Sequence, residues 1–253
     1  MVSLASIEEN DIDIVIPVYN EKGSIESTLR ELGSNVKQSI RVIIVYDMDE
    51  DTTIPIVNSV AGSLGYPVVM QKNLYGRGAL NAIKSGMALS EADAVLVVMA
   101  DMSDDLGMID LMYEKFQEGY DIVCGSRYMR GGRQIGGPLL KKTLSRTAGL
   151  TLHYLARIPT HDVTNSFKMY RKTLLEDLRI ESVGGFEIGM EITVKAHLTG
   201  RLIAEIPVTW TDRTDGESKF KLWKWIPHYF HWYSRAFGRR SKVPTQDAES
   251  HNA

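Results

Sequence analysis

Short, almost uninterrupted runs of Val, Ile and Leu punctuate the first 125 residues, at 12–17, 42–46, 67–71, 94–99 and 122–124. Runs of this length and near-continuous apolar character predict strands covered on both faces, as in a parallel sheet. Between them the apolar positions change to helical spacing. Ile25, Leu29, Leu32 and Val36 mark one helix, Leu80, Ile83 and Met87 another, and Leu106, Ile109, Tyr113 and Phe116 a third. Strand alternating with helix predicts an open α/β sheet, in which ligands sit at the carboxyl ends of the strands.

After Gly125 the rhythm changes. A glycine-rich loop (Gly131, Gly132, Gly136, Gly137, Pro138) leads into a helical pattern of Leu140, Leu144, Ala148, Leu152 and Leu155. A short strand is expected at 166–170, a helix at 187–198 and a strand at 202–208. The last patterned stretch is aromatic and basic, KFKLWKWIPHYFHWYSRAFGRR. No internal repeat, low-complexity segment or linker divides the chain. The expected organisation is therefore a main domain over 1–218, an amphipathic segment over 219–241 and a disordered tail over 242–253.

Composition narrows the class. The 253 residues are 43% hydrophobic and 24% charged, with 21 Gly and 8 Pro, which excludes disordered and collagen-like chains. A single cysteine, Cys124, excludes a disulfide framework and points to a reducing compartment. The longest clean apolar stretch, 94–100, is far short of a membrane span, and the N-terminal residues do not read as a signal peptide. A cytoplasmic protein is expected. The net charge of −3 conceals an asymmetry. Residues 219–242 hold seven Lys or Arg and no acid, leaving 22 basic against 32 acidic residues elsewhere. Such a tail is expected to meet something anionic.

Candidate chemistry collects at the predicted strand ends. The first strand runs into Pro17-Val18-Tyr19-Asn20-Glu21, an aromatic face and a carboxylate that suit a base and ribose, or a loop that merely ends a strand. The second ends in Tyr46-Asp47-Met48-Asp49-Glu50-Asp51, acids that suit ribose hydroxyls or the start of a following helix. The fourth ends in Met99-Ala100-Asp101-Met102-Ser103-Asp104-Asp105. Hard oxygen donors there suit Mg²⁺ or Mn²⁺ on a diphosphate, while Ser103 or Asp104 can instead cap the helix near Leu106. Asp101 lies too early for that cap. Downstream, Arg127, Lys141, Arg146, Arg213 and Lys219 surround Gly-rich loops and resemble a phosphate site.

In order along the chain, the segments IVIPVYNE, VYDMDED, GRGALNAIKSG, MADMSDD, DIVCGSRYMRGG, DVTNSFKMYRK and IPVTWTDRTDGESK resemble glycosyltransferase family 2. Within it they are most similar to dolichol-phosphate mannose synthases and related polyprenyl-phosphate glycosyltransferases, over roughly residues 13–219. The resemblance implies a GT-A fold, an open and mostly parallel sheet with helices on both faces. It implies that Pro17, Tyr19, Glu21, Asp47, Gly78 and Asp101 bind a nucleotide sugar of GDP-mannose or UDP-glucose type. Arg127, Lys141, Ser145, Arg213 and Lys219 fall where the family grips the acceptor phosphate, with Asp101, Arg127 and Arg213 the catalytic set.

Asp101 corresponds to the second Asp of the family's Asp-X-Asp motif, and Ser103 or Asp104 would assist it at a divalent cation. Met99 stands where the first Asp is expected, and a thioether is a poor ligand for a hard cation.

The implied reaction is inverting transfer of a hexose to a polyprenyl phosphate. Two alternatives remain open. One is a saccharide hydroxyl acceptor, with Glu187 or Glu191 as base; the other is a silent nucleotide-sugar-binding protein.

Eight aromatics within 220–237, interleaved with Lys and Arg, are expected to lie on an anionic membrane surface, or else to complete the core or a homodimer face. A helix over 227–238 would be too short to span a bilayer. A membrane protein partner is compatible with this pattern. Nucleic-acid binding is not expected.

Overall fold

The computed structural model describes residues 10–212 and 222–238. The first half builds β1 (Ile12–Val18), α1 (Ile25–Asn35), β2 (Ile40–Tyr46), α2 (Thr53–Val60) and β3 (Val68–Lys72). It continues through α3 (Ala79–Leu89), β4 (Ala94–Val97), α4 (Ile109–Gln117) and β5 (Ile122–Ser126). The second half adds β6 (Arg133–Ile135), α5 (Leu139–Leu155), β7 (Lys168–Arg171), α6 (Lys172–Asp177) and α7 (Ile188–Leu198). β8 (Ile203–Pro207), β9 (Thr209–Thr211) and α8 (Leu222–Arg235) follow.

Seven strands form one sheet in the order β3-β2-β1-β4-β7-β5-β8. Its pairs are parallel except that β7 runs antiparallel to both β4 and β5. The mostly parallel sheet expected from the apolar runs is therefore present, with one reversed strand.

The reason those runs are continuous is visible in the core. On β1, Ile12, Ile14, Ile16 and Val18 pack with Ile25, Leu29 and Leu32 of α1 and Phe116 of α4. On the opposite face, Val97, Ile122 and Tyr170 pack with Ile83 of α3 and Ile188 and Ile192 of α7. Both faces are covered, so each strand residue is apolar whichever way it points.

Two short strands, β6 and β9, pair in parallel as a separate ribbon. Neither was foreseen as a partner of the other; three-residue strands carry too little periodicity to register. The terminal helix begins at Leu222, not Pro227, and holds Pro227 in its interior. At 14 residues it is about 21 Å long. Among the described residues, no helix is long and apolar enough to cross a membrane. Trp232 and Ala236 are buried with Met190 and Val194 of α7 and Leu152 of α5, while Phe230 and Phe237 are exposed. Trp232 donates its indole N–H to Ser182 Oγ at 2.9 Å. The core alternative thus holds for part of the aromatic stretch.

Candidate functional site

The strand tips are tied together by their own acids. Asp47, just beyond β2, accepts Asn73 Nδ2–H at 2.9 Å and the backbone N–H of Gly78 at 2.9 Å. Gly78 sits at φ +115°, a conformation L side chains rarely adopt, which explains why a glycine opens α3. Asp51 is buried and accepts the N–H groups of Asn20 and Thr53, so it anchors the start of α2 as the helix-start reading proposed. Thr53 Oγ1 accepts the Glu21 N–H at 2.9 Å. Tyr19 is 45% exposed beside this lacing, and Pro17 is buried within β1.

Beyond β4 the chain turns sharply. Met102 adopts φ +60°, a left-handed conformation that costs a non-glycine residue of order 1 kcal/mol. The turn brings the Ser103 N–H to Asp101 Oδ1 at 3.2 Å. Asp104, expected at a cation beside Asp101 and Ser103, is turned toward the backbone of its own segment. It is 8% exposed, and its Oδ2 turns back to accept the Met99 N–H at 2.9 Å. Burial pushes its carboxyl up to about 7, against the pull of that N–H. Neither Ser103 nor Asp104 makes a helix-capping hydrogen bond; Asp105 precedes the turn at 106–108.

Arg127 follows β5 directly and is gripped by Asp162. Its Nε donates to Asp162 Oδ2 at 2.6 Å and Nη2 to Oδ1 at 2.9 Å, while the Arg127 N–H also reaches Oδ2 at 3.1 Å. Nη2 touches Ser145 Oγ and Thr164 Oγ1 as well, each at 3.1 Å. Burial opposes both charges, but the pairing outweighs it. Asp162 is held below the usual carboxylate range and Arg127 above the usual arginine value. Close packing of α5 makes this possible. A Cβ on Gly149 would lie 2.1 Å from the His161 carbonyl oxygen, so only glycine lets the helix approach the 160–165 segment. Beneath that segment, Lys168 is fully buried and donates Nζ–H to the carbonyls of Val163 and Asn165. Burial lowers its pKa.

These elements enclose a cavity of about 600 Å³. Met99, Asp101, Ser103, Arg127, Lys141 and Ser145 line it, with Asp212 and Trp210 from the β9 end. Leu144, Phe186, Met190, Tyr229, Phe230 and Tyr233 give it an apolar flank. Polar and apolar side chains share the lining of a single space.

Of the residues foreseen, Asp101, Ser103, Arg127, Lys141 and Ser145 meet here. Pro17, Tyr19, Glu21, Asp47 and Gly78 stand at neighbouring strand tips outside the lining. Arg213 and Lys219 lie outside the described residues. Asp162, Thr164 and Asn165 belong to the DVTNSFKMYRK motif but carried no expected role, and Tyr229 and Tyr233 were read as membrane-surface or core aromatics rather than as cavity lining. The signal for the first three was the DVTNSF segment, whose polar residues stand out between apolar runs.

Asp101 and Ser103 offer oxygen donors suited to a hard cation. Met99 stands at the position of the motif's first Asp, and its N–H donates to Asp104 Oδ2. Among the described residues no group of three His, Cys, Asp or Glu converges.

Sheet order, reversed β7 and a cavity beyond the strand tips define a GT-A type α/β protein. The chain belongs to glycosyl transferase family 2, whose sequence model matches residues 13–179. It is 26% identical over 227 residues to the dolichol-phosphate mannosyltransferase of Pyrococcus furiosus, covering 87% of this chain and 62% of that protein. It is 28% identical over 213 residues to the polyprenol monophosphomannose synthase of Mycolicibacterium smegmatis, covering 81% of this chain and 79% of the relative. The fold also resembles glucosyl-3-phosphoglycerate synthase of Mycobacterium tuberculosis, solved with Mn²⁺, uridine diphosphate and glucosyl-3-phosphoglycerate. That likeness has a TM-score of 0.67 at 17% identity and covers 92% of this chain and 81% of the other.

Proposed function

We propose that this protein transfers a hexose from a nucleotide sugar to a polyprenyl phosphate, at the cytoplasmic face of a membrane. The observation that carries this reading is the pairing of Arg127 with a buried carboxylate in the lining of a half-apolar cavity. Arg127 Nε and Nη2 are consumed by Asp162, Ser145 and Thr164. Among the described residues no hydrogen bond reaches its Nη1, leaving two donors for an anion. The apolar flank of Leu144, Phe186, Met190 and Tyr233 suits the first isoprene units behind that anion.

A phosphate acceptor also fits what the glutamates do. Glu187 is fully buried and accepts the N–H groups of Gly184 and Gly185. Glu191 is equally buried and accepts those of Glu181 and Ser182 together with Lys195 Nζ. Neither is placed to take a proton from a sugar hydroxyl. A phosphate monoester needs no such base, since its second pKa is about 6 and it is ionised at neutral pH.

In the proposed step, one acceptor phosphate oxygen forms a bond to the anomeric carbon as the bond to the donor diphosphate breaks. The electron pair leaves with the nucleoside diphosphate, and the anomeric configuration inverts. Arg127 and Lys141 hold the attacking anion against its repulsion from the donor. Asp101 and Ser103 would hold a Mg²⁺ or Mn²⁺ ion, which supplies charge neutralisation for the leaving diphosphate. Tyr19, Glu21, Asp47 and the Gly78 region would receive the base and ribose.

The test is incubation with radiolabelled GDP-mannose, UDP-glucose and related donors plus a short polyprenyl phosphate. Lipid-linked label should form with one donor, and Asp101→Ala should lower the rate by about 10²–10³. Label appearing only on a sugar hydroxyl acceptor would replace this reading.

A further inference from the structure

The cations read from the sequence as one phosphate set divide in three dimensions. Lys141 faces the large cavity, but Arg146, one turn further along α5, does not. It joins Lys142 on a different face of the helix and meets Arg133 of β6 across a second pocket of about 240 Å³. Arg127 and Gln134 line both spaces, and Tyr128 lines the second. The Tyr128 hydroxyl lies 3.0 Å from Gln134 Oε1 and 2.9 Å from Ser145 Oγ.

Among the described residues the charge of the second pocket is uncompensated. Arg127 is matched by Asp162, but among the described residues no carboxylate is within ion-pair distance of Arg133, Lys142 or Arg146. Lys142 Nζ reaches only the Gln134 carbonyl, at 3.1 Å. Elsewhere many surface cations, though not all, are paired. Arg30, Lys72, Lys115, Arg171 and Arg201 each have an acidic neighbour. Like charges at i and i+4 on a helix destabilise it. Lys142 and Arg146 are such a pair, and Arg133 adds a third charge. Two guanidinium groups and an ammonium around one small space form a receptor for a phosphate group.

Exposed apolar side chains close to the three cations in sequence say which phosphate. Leu139 is 80% exposed and Leu140 54%, on the outward side of the same first turns of α5. Ile135, two residues from Arg133, is also exposed, as is Phe230 across the large cavity. Apolar side chains do nothing for a free phosphate in water. They suit a phosphodiester that carries acyl chains.

We propose that Arg133, Lys142 and Arg146 form a second phosphate site for the headgroup of an anionic membrane phospholipid. It would seat the leucine ridge in the membrane beside the acceptor cavity. The inference deepens the membrane part of the proposed function and rests on it, but not on the transfer chemistry.

The test uses vesicles of phosphatidylcholine with and without phosphatidylglycerol, sedimented with the full chain. Each cation near an anionic surface is worth roughly a factor of five in binding. The triple variant Arg133→Gln/Lys142→Gln/Arg146→Gln should therefore bind phosphatidylglycerol vesicles on the order of a hundredfold more weakly. Its thermal midpoint and its transfer to a short polyprenyl phosphate in detergent should be unchanged. Leu139→Ser/Leu140→Ser should also weaken vesicle binding while leaving inorganic phosphate binding intact.

Equal vesicle binding by wild type and triple variant would overturn the site while leaving the membrane reading standing. No vesicle binding by the wild type would overturn both, and transfer in detergent would still judge the chemistry separately. If inorganic phosphate binds at the three cations and the leucine variant sediments like wild type, the ligand is free phosphate and the headgroup assignment fails.

Discussion

Two buried arginine–aspartate pairs sit at opposite ends of the same sheet, Asp13–Arg41 where β1 and β2 begin and Arg127–Asp162 where β5 ends. Both aspartates are fully buried and both arginine side chains nearly so. At the first pair every nitrogen is used. Arg41 Nε and Nη2 hold Asp13 at 2.8 and 2.7 Å, Nη1 holds Glu91 at 2.7 Å, and Nη2 also approaches the Leu89 carbonyl. Asp13 additionally accepts the N–H groups of Glu91 and Ala92. At the second pair, Arg127 retains an unengaged Nη1 and borders a cavity. A closed pair fastens the bottom of the sheet; an open pair at the top has donors to give away. If Arg127 grips the acceptor phosphate as proposed, spare hydrogen-bonding capacity beside a cavity, rather than burial or charge, is what separates that pair from a structural one.

Breaking each pair sharpens the contrast, and the largest effects belong here. Removing one partner of a buried ion pair costs about 3–5 kcal/mol, so Arg41→Ala and Arg127→Ala should lose comparable stability by urea denaturation. Activity per folded molecule should diverge. Arg41→Ala should retain near-normal transfer to polyprenyl phosphate, whereas Arg127→Ala should lose at least about a hundredfold in kcat/KM, mostly through KM for the acceptor. Arg127→Lys keeps the charge but loses the planar fork, and should recover stability better than acceptor affinity. Equal activity losses in Arg41→Ala and Arg127→Ala would erase the distinction.

The closed half of the molecule was far more legible in the sequence than the open half. Runs such as 42–46 announce a strand covered on both faces because nothing but apolar residues fits there. The glycosyltransferase motifs then ordered the strand-tip acids. What the sequence hid was partnership. Arg127 and Asp162 are 35 positions apart and meet only because Gly149 lets α5 close on the intervening loop. Arg146 read as part of a single cationic set with Lys141, although it lines another pocket together with Lys142. Spacing alone could not reveal that the Asp104 carboxylate folds back on the Met99 N–H. The C-terminal aromatics read equally well as core and as surface, and α8 uses Trp232 for one and leaves Phe230 for the other.

Lys168 offers an intermediate test, since it supports the open pair without touching the cavity. Its Nζ holds the carbonyls of Val163 and Asn165, which flank Thr164 and follow Asp162. Lys168→Met would leave these buried carbonyls without that donor, at about 1–3 kcal/mol each. The loosened segment should shift Asp162 and Thr164, raising KM for the acceptor about tenfold with kcat nearly unchanged. Lys168→Arg, which keeps a donor, should recover most of the acceptor affinity. A purely structural lysine would lower stability in Lys168→Met and leave KM where it was.

The smallest effect concerns Asp104, and it separates the acid that turns inward from the acid that faces the cavity. Its folded-state pKa of about 7 stands above the ordinary aspartate value, so the native state keeps a proton that the unfolded chain releases. Stability attributable to this group is therefore complete below about pH 4 and is lost as pH rises toward 7. Asp104→Asn preserves an acceptor for the Met99 N–H and removes the titration. Urea midpoints measured from pH 4 to 8 should decline less steeply in the variant than in the wild type, with the two curves converging at low pH. Mn²⁺ binding followed by electron paramagnetic resonance in the presence of nucleoside diphosphate should be indifferent to Asp104→Asn and weakened by Asp101→Ala. Should Asp104→Asn weaken Mn²⁺ binding as much as Asp101→Ala does, Asp104 must swing outward to reach the ion, and the inward hydrogen bond to Met99 is only its resting arrangement.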